Sequence, residues 1–177
     1  MLKRSKQNRL VDSVVIISYF YYEIITKEGA LDIDGINMAI INHLKDGRVS
    51  FKKIADELQL AEGTIRARVK KLRDDGVLEI AGLVDPEAIP ERYVVMVGIK
   101  LKSMDLVGKG EEFSTLRGVT SVCVVTGRFD LILTVMLTKE FGILEFYTDE
   151  VSRVEDVRSV ETFVVYKSFN LKLPLVN

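Results

Sequence analysis

Apolar and polar residues follow two different periods along this chain, and the change of period divides it in two. Between Leu31 and Leu78, apolar residues recur every three or four positions, which is the spacing of amphipathic helices. The pattern predicts three short helices, at residues 35–45, 51–58 and 62–74. Ser50 is a suitable N-cap for the second helix, and Gly76 is placed to end the third.

The stretch that follows the helices predicts the rest of a winged helix-turn-helix. Residues 77–84 (VLEIAGLV) predict a strand, and residues 85–92, which hold two of the three prolines, predict a linker. Three helices with a short turn before the third, followed by a strand, are typical of this DNA-binding motif. In it the third helix enters the major groove.

The second half is rich in Val, Ile, Thr and aromatic residues, which predicts a sheet with two intervening helices. The strands are expected at 93–101, 119–126, 129–137 and 162–168, and the helices at 105–116 and 139–154. This β-α-β-β-α-β order predicts a ferredoxin-like sandwich, so the fold class is α+β, with a winged helix-turn-helix before the sandwich. The second helix carries one apolar side, formed by Phe141, Leu144, Tyr147, Val151 and Val154.

Two helices cover only one face of a four-stranded sheet. The other face is therefore expected to need a partner, and self-association as a dimer or a larger assembly, up to an octamer, is the expected solution. The expected domain organisation is an N-terminal extension, a winged helix-turn-helix domain, a linker, a sheet domain and a C-terminal tail, at residues 1–30, 31–84, 85–92, 93–170 and 171–177.

The first thirty residues do not continue either pattern. A basic start is followed by 14–25 (VVIISYFYYEII), which resembles a signal peptide, but no A-x-A cleavage site follows and charged residues interrupt the run early. The run is also far shorter than the roughly 20 residues of a membrane-spanning helix. Two interpretations stay open: an ordered segment over about Ser13–Thr26 that covers a partner surface, or an upstream start with little order.

Composition narrows the classes of function. The chain has 177 residues, 47% of them hydrophobic and 29% charged, and a formal net charge of -1, so any nucleic-acid site must be a local basic patch. The single Cys123 lies in an apolar run that predicts a buried strand, and it favours a reducing, cytoplasmic location. One histidine, His43, predicted on the polar side of the first helix, leaves no set of metal ligands and no acid–base pair. No metal, cofactor, membrane contact or enzymatic activity is expected.

The third predicted helix concentrates positive charge. Ile65, Val69 and Leu72 form its apolar stripe, and the remaining positions hold five cations, namely Arg66, Arg68, Lys70, Lys71 and Arg73. An ordinary solvated basic face would look the same, but the third place in a three-helix set favours contact with double-stranded DNA. Backbone N–H groups at Gly63 and Thr64 are expected to approach a phosphate.

Residues 31–89 resemble the DNA-binding half of the Lrp/AsnC (leucine-responsive) transcription regulators. The second half, with 127-GRFD-130 and 160-VETFVVYK-167, is similar to the ligand-sensing domain of that family. The resemblance implies a sequence-specific DNA-binding regulator that is modulated by a small molecule, usually an amino acid. Three positions depart from the family pattern: Gln59 replaces the usual Gly of the turn, Ala61 replaces the usual Ser cap, and Gly35 replaces an Asp.

The candidate sites follow from both arguments. The DNA-binding set is Ser50, Glu62, Gly63, Thr64, Arg66, Arg68, Lys70, Lys71 and Arg73. The resemblance implies an effector-binding set of Gly127, Arg128, Phe129, Asp130 and Thr162, between neighbouring dimers. Gly127-Arg128 is expected to join two strands as a two-residue turn. Asp130 either binds the ammonium group of a ligand or is merely a surface residue.

Two other functions stay open. A siroheme decarboxylase subunit is similar in fold but depends on histidines, of which this chain has one. A metabolite sensor that does not bind DNA is the third alternative, and the five cations count against it.

Overall fold

Three short helices form the first unit of the chain. A computed structural model describes residues 33–45 and 47–175, and the chain divides between Ile80 and Ala81. The helices are α1 Gly35–Leu44, α2 Phe51–Leu58 and α3 Glu62–Asp74. We call this the helical unit, and the residues from Ala81 onward the sheet unit. The segment expected over Ser13–Thr26 lies outside the described residues.

The apolar stripes of the three helices meet in one core. Its fully covered side chains come from all three helices: Ile40, Leu44, Ile54, Ala55, Ile65 and Val69. The stripe predicted for α3 is confirmed, because Ile65, Val69 and Leu72 are buried while every other residue of that helix is exposed or half-buried. The core therefore fixes which side of α3 is left for a partner.

The caps predicted from the sequence are confirmed. The hydroxyl of Ser50 accepts the backbone N–H of Lys53 at 3.2 Å, which caps α2. Gly76 has φ +70°, where a side chain is disfavoured, and so ends α3. Between α2 and α3, Gln59 also has a left-handed backbone, with φ 54°. This turn is the position where the sequence carries Gln in place of the usual glycine.

The strand predicted over 77–84 was wrong for most of its length. Only β1, Leu83–Val84, is a strand, and it pairs with β6, Leu173–Pro174, near the end of the described chain. Residues 78–82 have no regular structure. The side chains of Asp85 and Glu87 hold residues of the C-terminal segment, Lys172 and Lys167, and this explains why β1 finds its partner there.

The sheet unit is a four-stranded antiparallel sheet with helices on one face. Its elements are β2 Arg92–Leu101, α4 Leu106–Ser114, β3 Val119–Val124, β4 Leu131–Thr138, α5 Ile143–Glu145 and β5 Val157–Val164. A short 3₁₀ helix, Pro86–Ala88, precedes β2. The strand order is β3-β4-β2-β5, as a ferredoxin-like βαββαβ chain requires.

The second helix of this unit is less regular than predicted. After α5 the chain continues as a π-helix, Phe146–Glu150, and a 3₁₀ turn, Val151–Arg153. Phe146 is fully buried, and Leu144, predicted to face the core, is exposed. The helix begins only at Ile143, after Phe141, so the helical spacing counted from Phe141 placed Leu144 on the wrong side.

Alternate residues of the central strands face the helices and form the core. Val95, Val97 and Ile99 of β2 are fully buried beside Phe113 and Phe146. On the opposite face of the sheet, which we call the open face, no helix of the described residues packs. Met96, Phe163 and Cys123 point toward it and are exposed, which corrects the expectation that Cys123 is buried.

Candidate functional site

The cations of α3 are largely paired with acids of the same helix or its end. Arg66 donates to Glu62 at 2.8 Å, Lys71 to Asp75 at 2.7 Å, and Lys70 to Asp74. These pairs are four residues apart, the separation at which helical side chains meet. They are exposed, so each contributes little to stability and can be exchanged for a phosphate at small cost.

Arg73 differs from the other cations of α3. Among the described residues it has no ion-pair partner, and its side chain is exposed. It lines a cleft of about 630 Å³ together with Arg66, Lys70, Phe51 and Leu78. The guanidinium of Arg66 lies 5.3 Å from the centre of the Phe51 ring. One flank of α3 therefore presents three cations around a partly apolar floor.

Arg68 was expected to point outward with the other cations, and this was wrong. Its Nη1 donates to Asp34 Oδ2 at 2.6 Å and to Asn37 Oδ1 at 2.9 Å, both at the start of α1. Its side chain is 31% exposed, against 65–76% for Arg66, Lys70 and Lys71. The period of the helix places Arg68 on the side that faces α1, because five cations cannot all share one side of a helix that is anchored by its apolar stripe.

At the N-terminus of α3, backbone donors are left without an acceptor among the described residues. Ala61 is its N-cap and has no oxygen in its side chain, so no cap bond forms. The N–H of Thr64 donates to the carbonyl of Ala61 at 2.9 Å, whereas Glu62 and Gly63 lie too early in the helix to find a carbonyl within it. A Cβ added at Gly63 would meet nothing within 4 Å. Gly63 thus fits the expected phosphate approach, while the N–H of Thr64 is already used.

The predicted DNA-binding residues therefore fall into separate groups. Gly63, Thr64 and Lys71 are exposed outside the cleft, Arg66, Lys70 and Arg73 line it, and Arg68 faces α1. Glu62 neutralises Arg66, and Ser50 is occupied in capping α2. Phe51 and Leu78 were not predicted as cleft residues, because their apolar side chains fitted the core pattern and the predicted strand.

The loop between β3 and β4 carries four of the five predicted effector residues. It is longer than the two-residue turn expected from Gly127-Arg128, since β3 ends at Val124 and β4 begins at Leu131. Gly127 does have a positive φ of 118°. The loop folds over the open face, where the Phe129 ring meets Phe163 edge to face at 5.9 Å.

The Phe129 ring packs directly against Gly98 of β2. A Cβ built at Gly98 would lie 2.7 Å from the ring carbons, closer than any real contact. Any residue with a Cβ would therefore have to displace the Phe129 ring. An isolated glycine within a strand pattern indicates such a close approach, and this signal in the sequence was not used.

Asp130 has structural partners inside its own unit. Its carboxylate accepts the N–H of Leu101 at 2.8 Å and Lys100 Nζ at 2.5 Å, and only 18% of its side chain is exposed. The pairing of β2 with β4 ends at Ile99 and Leu131, so the N–H of Leu101 lies beyond the last pair and is left to the carboxylate. Lys100, and next the Leu101 N–H, hold the Asp130 pKa below its usual value.

Thr162 lies on the other face of the sheet from Phe129. It pairs with Val97, which faces the helices, and its hydroxyl shares a hydrogen bond of 2.5 Å with that of Tyr147. By contrast Glu161, its neighbour in β5, pairs with Gly98 on the open face and accepts Arg128 Nη2 at 2.5 Å. The structure thus brings Arg128, Phe129 and the unpredicted Glu161 together, and separates Thr162 from them.

Two kinds of feature, a metal-binding cluster and a membrane-spanning helix, are absent from the described residues. Across 33–45 and 47–175, no three His, Cys, Asp or Glu side chains come close enough together to bind a metal ion. In that same part of the chain, no helix combines the length and the apolar character that crossing a bilayer requires.

Comparison with known proteins matches both units. Residues 33–73 match the AsnC-type helix-turn-helix domain, and residues 94–172 match the Lrp/AsnC ligand binding domain. The HTH-type transcriptional regulator FL11 of Pyrococcus furiosus is 31% identical over 137 residues, which cover 76% of this chain and 90% of that protein.

Two solved structures share the fold. AsnC of E. coli superposes with a TM-score of 0.55 at 23% identity, covering 77% of this chain and 93% of its own. A transcriptional regulator from Neisseria meningitidis, solved as a complex with L-Met, has a TM-score of 0.58 at 20% identity, covering 80% and 95%. Together the two domain matches, the relative and the fold lead to one conclusion: the chain belongs to the Lrp/AsnC family of helix-turn-helix transcription regulators.

Proposed function

We propose that this regulator binds double-stranded DNA through the exposed side and the cleft flank of α3, and that a small molecule bound by the sheet unit modulates this binding. The observation that carries the first part is the combination of free N–H groups at the start of α3 with Arg66, Lys70 and Arg73 along one flank. Phosphate oxygens accept hydrogen bonds from backbone N–H groups and from cationic side chains. A cation that is paired with a carboxylate stays charged and can still bind a phosphate.

Salt dependence tests this part directly. Binding to a random-sequence duplex, measured by fluorescence anisotropy from 50 to 200 mM salt, is expected to weaken with a slope of about -0.9 per phosphate contact. Substitution of Arg73 by Gln should lower affinity for all sequences and reduce that slope by about 0.9. Substitution of Lys139, a cation of the sheet unit, is the matched control and should leave the slope unchanged. A wild-type protein without salt-dependent retention of duplex would contradict the proposal.

For the effector, we propose an amino acid bound beside the 127–130 loop. Arg128 and Glu161 form an exposed pair of opposite charges next to Phe129, and the Arg128 guanidinium lies 5.4 Å from the centre of that ring. An amino acid can replace this pair, its carboxylate taking Arg128 and its ammonium taking Glu161. The aromatic rings offer an apolar contact for its side chain. Similar regulators complexed with L-methionine support an amino acid as the class of ligand.

This assignment gives Asp130 a different role from a direct ligand contact. Its carboxylate is already engaged by Lys100 and the Leu101 N–H, so an ammonium would have to displace both. After a thermal-shift screen of the twenty amino acids has found an effector, Glu161→Gln should weaken the effector's influence on DNA affinity. Asp130→Asn, which keeps the loop's size, should weaken it less. The reverse order would return Asp130 to the role of ligand contact.

We further propose that the chain self-associates through the open face of the sheet. Met96, Phe163 and Cys123 leave this face exposed and apolar, whereas the opposite face is covered by α4 and α5. A face of this kind is a usual site of contact between copies. Sedimentation at micromolar concentration should give a dimer or a larger species, and Phe163→Glu should shift it toward monomer. A wild-type monomer would refute this.

The remaining expectations are also proposals. We propose that the chain acts in the cytoplasm and catalyses no reaction. Its single histidine, His43, lies in the helical unit with Nδ1 3.3 Å from Glu57. The chain therefore lacks the several histidines on which a siroheme decarboxylase depends. Incubation with siroheme and detection of released carbon dioxide tests the alternative, and turnover above the rate without protein would overturn this proposal.

A further inference from the structure

We propose that Arg68 is a positioning residue, which holds the recognition helix α3 on the start of α1 and does not itself contact DNA. The inference rests on the proposed function of α3. One guanidinium nitrogen of Arg68 donates to both Asp34 and Asn37. The other ion pairs of α3 join residues of its own last or first turn, whereas this one joins two helices 34 residues apart in sequence.

The network lies where the two helices are otherwise poorly packed. A cleft of about 480 Å³ separates the start of α1 from α3, and Arg68 and Asp34 line it. The buried residues of α1, Ile40 and Leu44, come only in its later turns. Ile36 in the first turn is exposed. Among the described residues, Arg68 supplies the polar contacts between the first turn of α1 and α3.

Asp34 serves both helices at once. Its Oδ1 accepts the N–H of Asn37 at 2.7 Å and so caps α1, while its Oδ2 accepts Arg68. The Asn37 N–H, and next Arg68, lower the pKa of Asp34 from its ordinary value, so the carboxylate stays charged at neutral pH. One carboxylate therefore fixes the start of α1 and the tilt of α3. Both N–H groups on Nη1 of Arg68 are used in these bonds, so neither is left for a phosphate. The Arg68 side chain is also the least exposed among the paired cations of α3.

Substitution of the acid distinguishes positioning from contact, because the two roles predict opposite signs. If Arg68 contacted DNA, Asp34→Asn would free it and tighten binding. If it positions α3, Asp34→Asn should weaken binding about two- to fivefold, the range expected for one exposed ion pair. Asn caps a helix about as well as Asp, so the cap of α1 is kept. The matched control is Asp74→Asn, which frees the DNA-facing Lys70 and should tighten binding.

The experiment measures these variants on one random-sequence duplex across a salt series, together with Arg68→Gln and Arg73→Gln. Arg68→Gln should weaken binding with an unchanged salt slope, whereas Arg73→Gln should lose about 0.9 of slope. A loss of slope for Arg68→Gln, or tighter binding by Asp34→Asn, overturns the inference.

Thermal unfolding of the same proteins separates this inference from the function on which it rests. The Asp34→Asn, Arg68→Gln double variant should lose no more stability than the larger single loss, because both remove the same interaction. Additive losses of stability in the two single variants would show that Asp34 and Arg68 do not interact, and would overturn the inference. A wild-type protein that does not bind the duplex overturns the proposed function, and the positioning role with it, whatever the unfolding data give.

Discussion

Replacement of Ala61 by Ser should stabilise the helical unit by about 1 kcal/mol, the usual value of an N-cap side chain. The structure supports the full value, since the backbone needs no rearrangement. Ala61 has φ -70° and ψ 141°, and Ser50, which does cap α2, has φ -72° and ψ 146°. The new hydroxyl would meet the N–H of Gly63, which has no acceptor in the helix, or share that of Thr64.

Thermal unfolding of the full chain, followed by helical circular dichroism, measures this effect. An increase of about 1 kcal/mol in the free energy of unfolding corresponds to roughly 4–8 °C in the Tm of a domain as small as the helical unit. The matched reverse variant is Ser50→Ala, which removes the existing cap bond to Lys53 and should lower Tm by a similar amount. If Ser50→Ala destabilises while Ala61→Ser changes nothing, the donors at the start of α3 are already satisfied and the reasoning fails.

Three further outcomes are expected in the sheet unit. Gly98→Ala should displace the Phe129 ring, at a cost of about 1–3 kcal/mol in unfolding free energy, and chemical denaturation would detect it. Asp130→Ala should cost about 1–3 kcal/mol by leaving the Leu101 N–H unpaired, whereas Asp130→Asn, which still offers an oxygen, should cost less; equal losses would argue against this bond. Lys167, and next the Ser168 N–H, lower the pKa of Glu87 to about 2. The ionised carboxylate therefore stabilises the fold above its unfolded pKa, and this effect is lost as pH falls from about 4.5 to 2. In Glu87→Gln, the free energy of unfolding should depend less on pH in that window, as acid titration would show.

The sequence predicted the elements better than it predicted which side chains meet. The three helices of the first unit could be read because periodicity and the caps at Ser50 and Gly76 are local signals. The role of Arg68 could not, because it depends on Asp34, which is far away in sequence and becomes a neighbour only after folding. Similarly, Thr162 and Glu161 are adjacent in sequence but face opposite sides of the sheet.

Register explains the second of these failures. A strand turns successive side chains to opposite faces, so an error of one residue in the expected start of β5 exchanges its two faces. The strand was predicted at 162–168 and lies at Val157–Val164. The Leu101 N–H, which is the backbone partner of Asp130, also reaches it only through pairing between strands that are distant in sequence. Neither feature has a local signal from which the candidate effector site could be assembled.

The pairing of cations with acids along α3 has a consequence for how fast this regulator finds DNA. From Glu62 to Asp75 five basic and three acidic side chains leave a net charge of only +2, and most of the charges alternate within one helical turn. Such a field cancels beyond about 8–10 Å at physiological salt. Long-range attraction is therefore weak, and association should proceed near the unsteered rates of about 10⁵–10⁷ M⁻¹s⁻¹. The protein therefore finds DNA by random collision, and each cation exchanges its carboxylate partner for a phosphate only after contact.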